Sequence, residues 1–404
     1  WGRRRCMSVV LKNARMTDSR RERRGDLLIE NGKIKQIGAN LTGDRVIDAA
    51  GRMIMPSFVD MHTHFRDPGF THKEDIETGS RAAVHGGYTF VNLMANTNPV
   101  CSDMETVRYV LDKARATGLC DVHQVATITD RMEGTSIDHI DRLDFPTVRW
   151  LSDDGKGVQD TAVMLAAMRK AGQQGFGLML HEEDPAMTHV NSALAEEFQT
   201  YRDVELAVLT GCKTHFCHVS TAAAMEFIIE GKKRSRHITC EVTPHHLMLN
   251  NETKGNVAPP LRPEEDRSCM VEYALSGHVD AIATDHAPHT PEEKAAGING
   301  FTGLDLSFAT CYTILVRENG MPLTALSRML SFTPAGLMGL PPHLIDEGMD
   351  ANLVLLDLDT PFTVTEEHIH SKSKNTPMLG KTLYGTVCMT IKGGAIVYEN
   401  ISGK

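Results

Sequence analysis

Apolar positions fall in two rhythms along the chain. Residues 8–13, 26–30, 33–37 and 45–47 are short β-type runs parted by turn residues, and Asn31-Gly32 between the second and third is a strong hairpin signal. From Met55 onward apolar strand-like runs alternate with longer helical segments, the rhythm of βα units around a parallel sheet. The predicted strands are 58–64, 89–96, 122–128, 148–154, 177–183, 214–220, 238–245 and 280–286, and helical segments between them include 104–117, 160–171, 204–209 and 221–230. Eight such units are the count of a (β/α)8 TIM-type barrel, with an open doubly wound sheet as the alternative. After about Pro342 the β pattern returns at 353–357, 386–391 and 395–398, the last two flanking the turn Lys392-Gly393-Gly394. The reading is an α/β barrel over 57–343, with a small discontinuous β-sandwich domain from 1–56 and 344–404.

Polar residues gather where the predicted barrel strands end. His62, His64 and Arg66 follow the first, Asn96 the second, Asp153 and Asp154 the fourth, and His181 and Glu182 the fifth. His218 ends the sixth, His245 and His246 the seventh, and Asp285, His286 and His289 the eighth. In a barrel these C-terminal ends converge on one mouth, where active sites are built. His62 and His64 stand two apart in a strand, so both imidazoles face one side. Asp67-Pro68-Gly69 then turns the chain.

Composition narrows the partners. With 404 residues and 41% hydrophobic content the chain is an ordinary packed globular protein, and a net charge of -10 gives no basic field for nucleic acid or a membrane surface. The basic stretch 20–24 reads as a solvated turn. Nine scattered cysteines without a Cys-x-x-Cys pair speak against a disulfide framework or a thiolate zinc site, and point to a reducing cytoplasm. No apolar run is long enough to span a bilayer, and no signal-peptide pattern occurs. Met7 is a candidate native start, with residues 1–6 foreign to the protein.

Four histidines and two aspartates at the strand ends supply nitrogen and oxygen ligands without sulfur, a set suited to zinc or another first-row divalent ion. Six ligands exceed one tetrahedral site with an open position but suit two ions bridged by a carboxylate; a mononuclear site with the spare residues around it is the alternative. Such a centre polarises a carbonyl and acidifies bound water, which suggests hydrolysis of an amide-like bond or its reversal.

In order along the chain, the segments His62-x-His64-x-Arg66-Asp67-Pro68-Gly69, Asn96-Thr97-x-Pro99, Asp153-Asp154-Gly155, His181-Glu182-Glu183-Asp184, His218-Val219-Ser220, Thr243-Pro244-His245-His246-Leu247, Pro259-Pro260-Leu261-Arg262 and Asp285-His286-Ala287-Pro288-His289 resemble the motifs of the dihydroorotases. More narrowly, they resemble the bacterial type I branch of the amidohydrolase superfamily. The resemblance covers nearly the whole chain. It implies reversible hydrolysis of dihydroorotate to N-carbamoyl-L-aspartate in pyrimidine biosynthesis, with two Zn2+ ions per subunit. His62, His64 and Asp285 would bind the first ion, His181 and His218 the second, and Asp154 would bridge both. Asp285 would also carry the proton from the attacking water to the leaving ring nitrogen. Arg66, Asn96 and His289 would hold the substrate carboxylate, His64 would share in substrate binding, and backbone groups of the loop 299–304, Gly303 and Leu304 among them, would meet the ring.

Asp153 competes with Asp154 as the bridge; many relatives bridge with a carbamylated lysine, and Lys156 lies close by. His245 and His246 would orient ligands; His85, His123, His139, His189, His215, His278 and His343 read as ordinary packing or surface histidines. Two departures from the family pattern stand out. Ala95 precedes Asn96 where proline is common, and Ala258 occupies a position where an asparagine often touches substrate; a methyl donates no hydrogen bond. A related cyclic amidase, such as dihydropyrimidinase, hydantoinase or allantoinase, would not need the grip of Arg66 and Asn96. An inactive scaffold relative partnering aspartate transcarbamoylase would be free to lose the ligands. The remaining expectation is a homodimer.

Overall fold

The computed structural model describes residues 8–401; the candidate start at Met7 and residues 1–6 lie outside them. The first five strands are β1 (Val9–Thr17), β2 (Glu22–Glu30), β3 (Lys33–Gly38), β4 (Arg45–Asp48) and β5 (Met53–Pro56). Asn31 and Gly32 both take positive φ, 52° and 79°, which gives the β2–β3 hairpin the twist of its flanking strands. The basic stretch divides. Arg20 and Arg21 lie in the turn and pair with Asp346, whereas Arg23 and Arg24 already belong to β2, paired with Met16 and Arg15 of β1.

The barrel follows as β6 (Phe58–Thr63), β7 (Tyr88–Leu93), β8 (Asp121–Gln124), β9 (Trp150–Leu151), β10 (Gly177–Leu180), β11 (Lys213–Phe216), β12 (Ile238–Val242) and β13 (Ala281–Ile282). β6 to β8 form one parallel set and β9 to β13 another. Two single bridges, Ala126 with Leu151 and Thr63 with His286, join the sets into a ring. At these seams the Ser152 N–H donates to Ala126 O and the His64 N–H to His286 O, each at 2.9 Å. Every ladder stops short of the end its apolar run suggested. At the mouth the chain leaves the sheet, with Arg66, His218 and Asp285 at φ 60°, 35° and 46°, so the polar ends turn over the barrel instead of extending it.

The helices begin where polar caps stand. Asp103 accepts from Thr106 N–H to start Met104–Thr117, Asp160 caps Thr161–Gln174, and Thr221 caps Ala222–Arg234. The helix predicted at 204–209 is only the end of Ser192–Thr210. Its buried face carries Glu196, Gln199, Thr200 and Asp203, which hide the apolar period a sequence reading looks for.

The last strands, β14 (Leu353–Thr363), β15 (Thr382–Lys392) and β16 (Ala395–Glu399), join the first five in one eight-stranded sheet through the β14–β5 pair. The sheet folds back on itself. Lys33 bridges to Asp350, Ala351 N–H donates to Gly32 O at 2.8 Å, and Leu11, Leu27, Ile54, Leu353, Leu355 and Met389 share one core.

Candidate active site

The barrel mouth gathers His62, His64, Asp154, His181, His218 and Asp285 from the ends of five strands, all buried. Asp154 is the hub. Its Oδ1 lies 3.4 Å from His62 Nε2 and 3.5 Å from both His181 Nδ1 and His218 Nε2, while its Oδ2 lies 3.4 Å from His64 Nε2. Asp285 Oδ1 stands 3.1 Å from His64 Nε2 and 3.5 Å from His62 Nε2. Two ligand groups result, His62–His64–Asp154 and Asp154–His181–His218, sharing one carboxylate.

These residues fit metal ions. Buried polar atoms ordinarily find hydrogen-bond partners, yet His62 Nε2 and Asp154 Oδ1 have none among the described residues. Ligand atoms bound tetrahedrally at about 2.0–2.1 Å stand about 3.3 Å apart, close to the separations around Asp154. Electrostatics agree. Burial alone would raise Asp154, but His62, His181 and His218 hold it well below the usual carboxylate range. Burial likewise opposes a charged His181, yet Asp154 and Glu183 keep its pKa up at about 9. Without an ion the carboxylates draw protons onto His62 and His181; a cation satisfies the same field.

Asp153 and Lys156 are placed elsewhere. The Asp153 carboxylate accepts from Ile128 N–H at 2.8 Å, Thr129 N–H at 3.2 Å and the Thr129 hydroxyl, so it holds the loop after β8. Lys156 is exposed on the turn after Gly155 and belongs to neither ligand group.

A cavity of about 260 Å³ opens above the cluster. Arg66, Asn96, Ala258 and His289 line it beside His64 and Asp285. Arg66 donates through Nε to Pro288 O at 3.3 Å and through Nη2 to His289 Nε2 at 3.1 Å. His289 is thereby neutral, its Nδ1–H turned to Glu293 Oε2 at 3.2 Å. Burial, with Arg66 and Lys73 nearby, lowers its pKa to about 4. Asn96 Oδ1 faces His64 Nδ1 at 2.8 Å, and its amide reaches Asp154 at 3.4 Å. Gly303 and Leu304 stand behind this wall. Their N–H groups donate to His286 Nδ1 at 3.1 and 3.4 Å, and Asn299 and Gly300 of the same loop line the cavity in their place.

The model of the amidohydrolase family matches residues 53–397. A dihydroorotase from Clostridium botulinum (strain Eklund 17B / Type B) is 44% identical over 397 residues, covering 97% of this chain and 100% of that one. The chain belongs to the amidohydrolase family, among its dihydroorotases. A dihydroorotase from Brevibacillus brevis is 38% identical over 98% of this amidohydrolase and 100% of its own length. An L-hydantoinase (dihydropyrimidinase) from Arthrobacter aurescens superposes with TM-score 0.88 over 98% of this chain and 96% of that one, at 23% identity, which bears on the fold alone.

Two carboxylates escaped the sequence reading of this amidohydrolase. Glu241, the fourth of five residues in β12, accepts from His62 Nδ1 at 2.9 Å and from His215 Nε2 at 2.9 Å. Burial opposes its charge, but the two imidazoles keep its pKa down at about 2. Glu183 meets His181 Nε2 at 3.1 Å, which turns His181 Nδ1 toward Asp154. A glutamate two residues after a candidate ligand was a usable signal for Glu183. Glu241 had none, because its partner lies 179 positions away.

Proposed function

We propose that the protein is a zinc-dependent dihydroorotase of de novo pyrimidine biosynthesis, interconverting (S)-dihydroorotate and N-carbamoyl-L-aspartate. One observation carries the substrate assignment beyond the family. Arg66 is half-buried at the cavity beside the ligand cluster, and among the described residues it forms no ion pair. A guanidinium taken out of water without a carboxylate partner suits a substrate that brings one. Dihydroorotate carries a ring carboxylate; hydantoin, dihydrouracil and allantoin do not.

His62, His64 and Asp285 would hold one Zn2+, His181 and His218 a second, and Asp154 both. Bound there, zinc supplies a Lewis acid for the ring carbonyl and a lowered pKa for water. The chain's own residues do the rest. Arg66 grips the substrate carboxylate beside the Asn96 amide, with neutral His289 backing the guanidinium through Nε2, and fixes the ring over the cluster. The water oxygen bonds to the carbonyl carbon as its proton passes to an Asp285 oxygen. The carbon–nitrogen bond then breaks, and Asp285 returns that proton to the ring nitrogen, regaining its charge. Opposed by burial, the His64 hydrogen bond and the nearby imidazoles hold Asp285 below the usual carboxylate range, so it starts as the base. Ala258 contributes only its backbone and a methyl wall.

A homodimer is part of this proposal, with aspartate transcarbamoylase as the alternative partner; sedimentation of the protein alone and with that enzyme separates the two. No helix among the described residues is long and apolar enough to cross a membrane, and the cytoplasm is the proposed location.

Hydrolysis of dihydroorotate, dihydrouracil, hydantoin and allantoin by zinc-loaded protein, before and after chelation, tests the reading. Chelator-sensitive turnover of dihydroorotate alone is expected. Turnover of an uncharged ring in its place would assign the protein to the other cyclic amidases.

A further inference from the structure

Away from the mouth, a third group of ligand atoms converges where distant segments meet: His85 at the end of the helix Ile76–His85, Asp305 in the turn Leu304–Leu306, and His370 in the connection between β14 and β15. His85 Nδ1 lies 2.9 Å and His370 Nδ1 3.5 Å from the same oxygen, Asp305 Oδ1. That oxygen already accepts the His370 backbone N–H at 2.8 Å. Three nitrogens crowd one carboxylate oxygen, and His85 Nδ1, although buried, makes no hydrogen bond among the described residues. The two rings stack, centroids 3.7 Å apart and planes at 26°, with Tyr398 edge-on to His85.

Two imidazoles and a carboxylate are a donor set for zinc or a similar borderline cation, and the 2.9 and 3.5 Å separations bracket the spacing of about 3.3 Å expected for ligands at 2.0–2.1 Å. A cavity of about 230 Å³, lined by His85, Asp305, His368 and Tyr398, adjoins the group and leaves room for water as a fourth ligand. We propose that His85, Asp305 and His370 form a structural site for one divalent cation such as Zn2+, separate from the catalytic mouth. Near-parallel rings point their Nδ1 lone pairs side by side, so loading turns the His370 ring. That side chain is free to move, being 41% exposed against 3% for Asp305.

The consequence runs through the connection that follows His370. The Ser371 hydroxyl and Lys372 N–H donate to the buried carboxylate of Glu74. Asn375 Oδ1 accepts the His289 N–H at 3.1 Å, its amide donates to Ala287 O and Gly300 O, and its carbonyl accepts the Thr302 N–H. This strap therefore holds the loop that carries His289, Asn299 and Gly300. An ion at His370 fastens the strap to the barrel helix and steadies the mouth without touching substrate.

Zinc counted by mass spectrometry after equilibrium dialysis tests the site, whatever substrate the enzyme turns over. His370→Ala, at an exposed position that leaves the core unchanged, should bind one equivalent fewer than the parent protein and lose the part of the zinc-dependent rise in Tm that this ion supplies. His85→Ala should match it. With the shared catalytic carboxylate removed, Asp154→Asn should keep a zinc equivalent that Asp154→Asn/His370→Ala lacks. Equal counts in the parent and His370→Ala proteins would overturn the site, even if both enzymes were fully active.

Discussion

Glu241 Oε1 meets His62 Nδ1 at 2.9 Å in the barrel interior, with both side chains fully buried. The contact orients His62: Nδ1–H donates to the carboxylate, and Nε2 is the nitrogen turned to Asp154 and Asp285 and offered to an ion. Groups that orient a ligand in this way typically contribute 10- to 100-fold to metal affinity or activity. Glu241→Gln can present its amide N–H to His62 and so stabilise the wrong tautomer. The expected result is a loss of about 10- to 100-fold in zinc affinity by competition with a chromophoric chelator. KM at saturating zinc should change little, because Glu241 does not line the cavity.

In the proposed substrate grip Arg66 is the cationic half, and its fork cannot be replaced by a point charge. Arg66→Lys should lower kcat/KM for dihydroorotate by roughly 10- to 100-fold, the effect of losing one charged hydrogen bond worth about 1.5–3 kcal/mol. Arg66→Ala should lose more, with zinc content unchanged by mass spectrometry. Equal losses in zinc and in kcat/KM would show that Arg66 supports the cluster and not the substrate.

The barrel was readable because its strands are short apolar runs whose last residues are His, Asp or Asn. His62 and His64 announce themselves by spacing, and Asp154, His181, His218 and Asp285 by position at a strand end. Long-range partners left no such mark. Glu241 looks like any charged residue within an apolar strand until the barrel closes and brings His62 and His215 against it. The helix Ser192–Thr210 extends well before the predicted 204–209 for a related reason: Glu196 faces the core because Arg262, 66 residues away, pairs with it at 2.9 Å. Of the loop 299–304, Asn299 and Gly300 line the cavity and Gly303 and Leu304 do not. The acceptor His286 Nδ1 draws Gly303 and Leu304 out of the cavity, and local sequence carries no sign of that.

His123 offers a test on stability. Its ring is buried and neutral, bonded to Asn92 Oδ1 through Nδ1 at 2.6 Å and accepting the Arg149 N–H at Nε2 at 3.0 Å. Burial, reinforced by Arg149, lowers its pKa to about 3. The unfolded chain therefore takes up this proton near pH 6.5 and the folded chain does not, so stability is full above about 6.5 and falls as pH drops toward 3. Between pH 6.5 and 5 the loss from this one group is about 1.6 kcal/mol. His123→Gln keeps a donor and an acceptor without a titrating group. Urea unfolding of metal-free protein at the two pH values should show a smaller acid loss in His123→Gln than in the parent; identical losses would remove His123 from the acid response.

Asp153 and Asp154 are adjacent in sequence and opposite in task. Asp154 faces four imidazoles at 3.4–3.5 Å, while Asp153 accepts the backbone of Ile128 and Thr129. Asp154→Asn removes the negative charge both ligand groups share, so zinc uptake at the mouth and turnover should both collapse. The metal-free protein should remain folded, since Asp154 Oδ1 makes no hydrogen bond there to lose. Asp153→Asn should do the reverse. Its amide keeps one accepting oxygen but brings N–H toward donors, a mismatch of about 1–3 kcal/mol. Lower Tm with zinc stoichiometry retained is the expected signature, and zinc loss in Asp153→Asn matching that in Asp154→Asn would return Asp153 to the list of ligands.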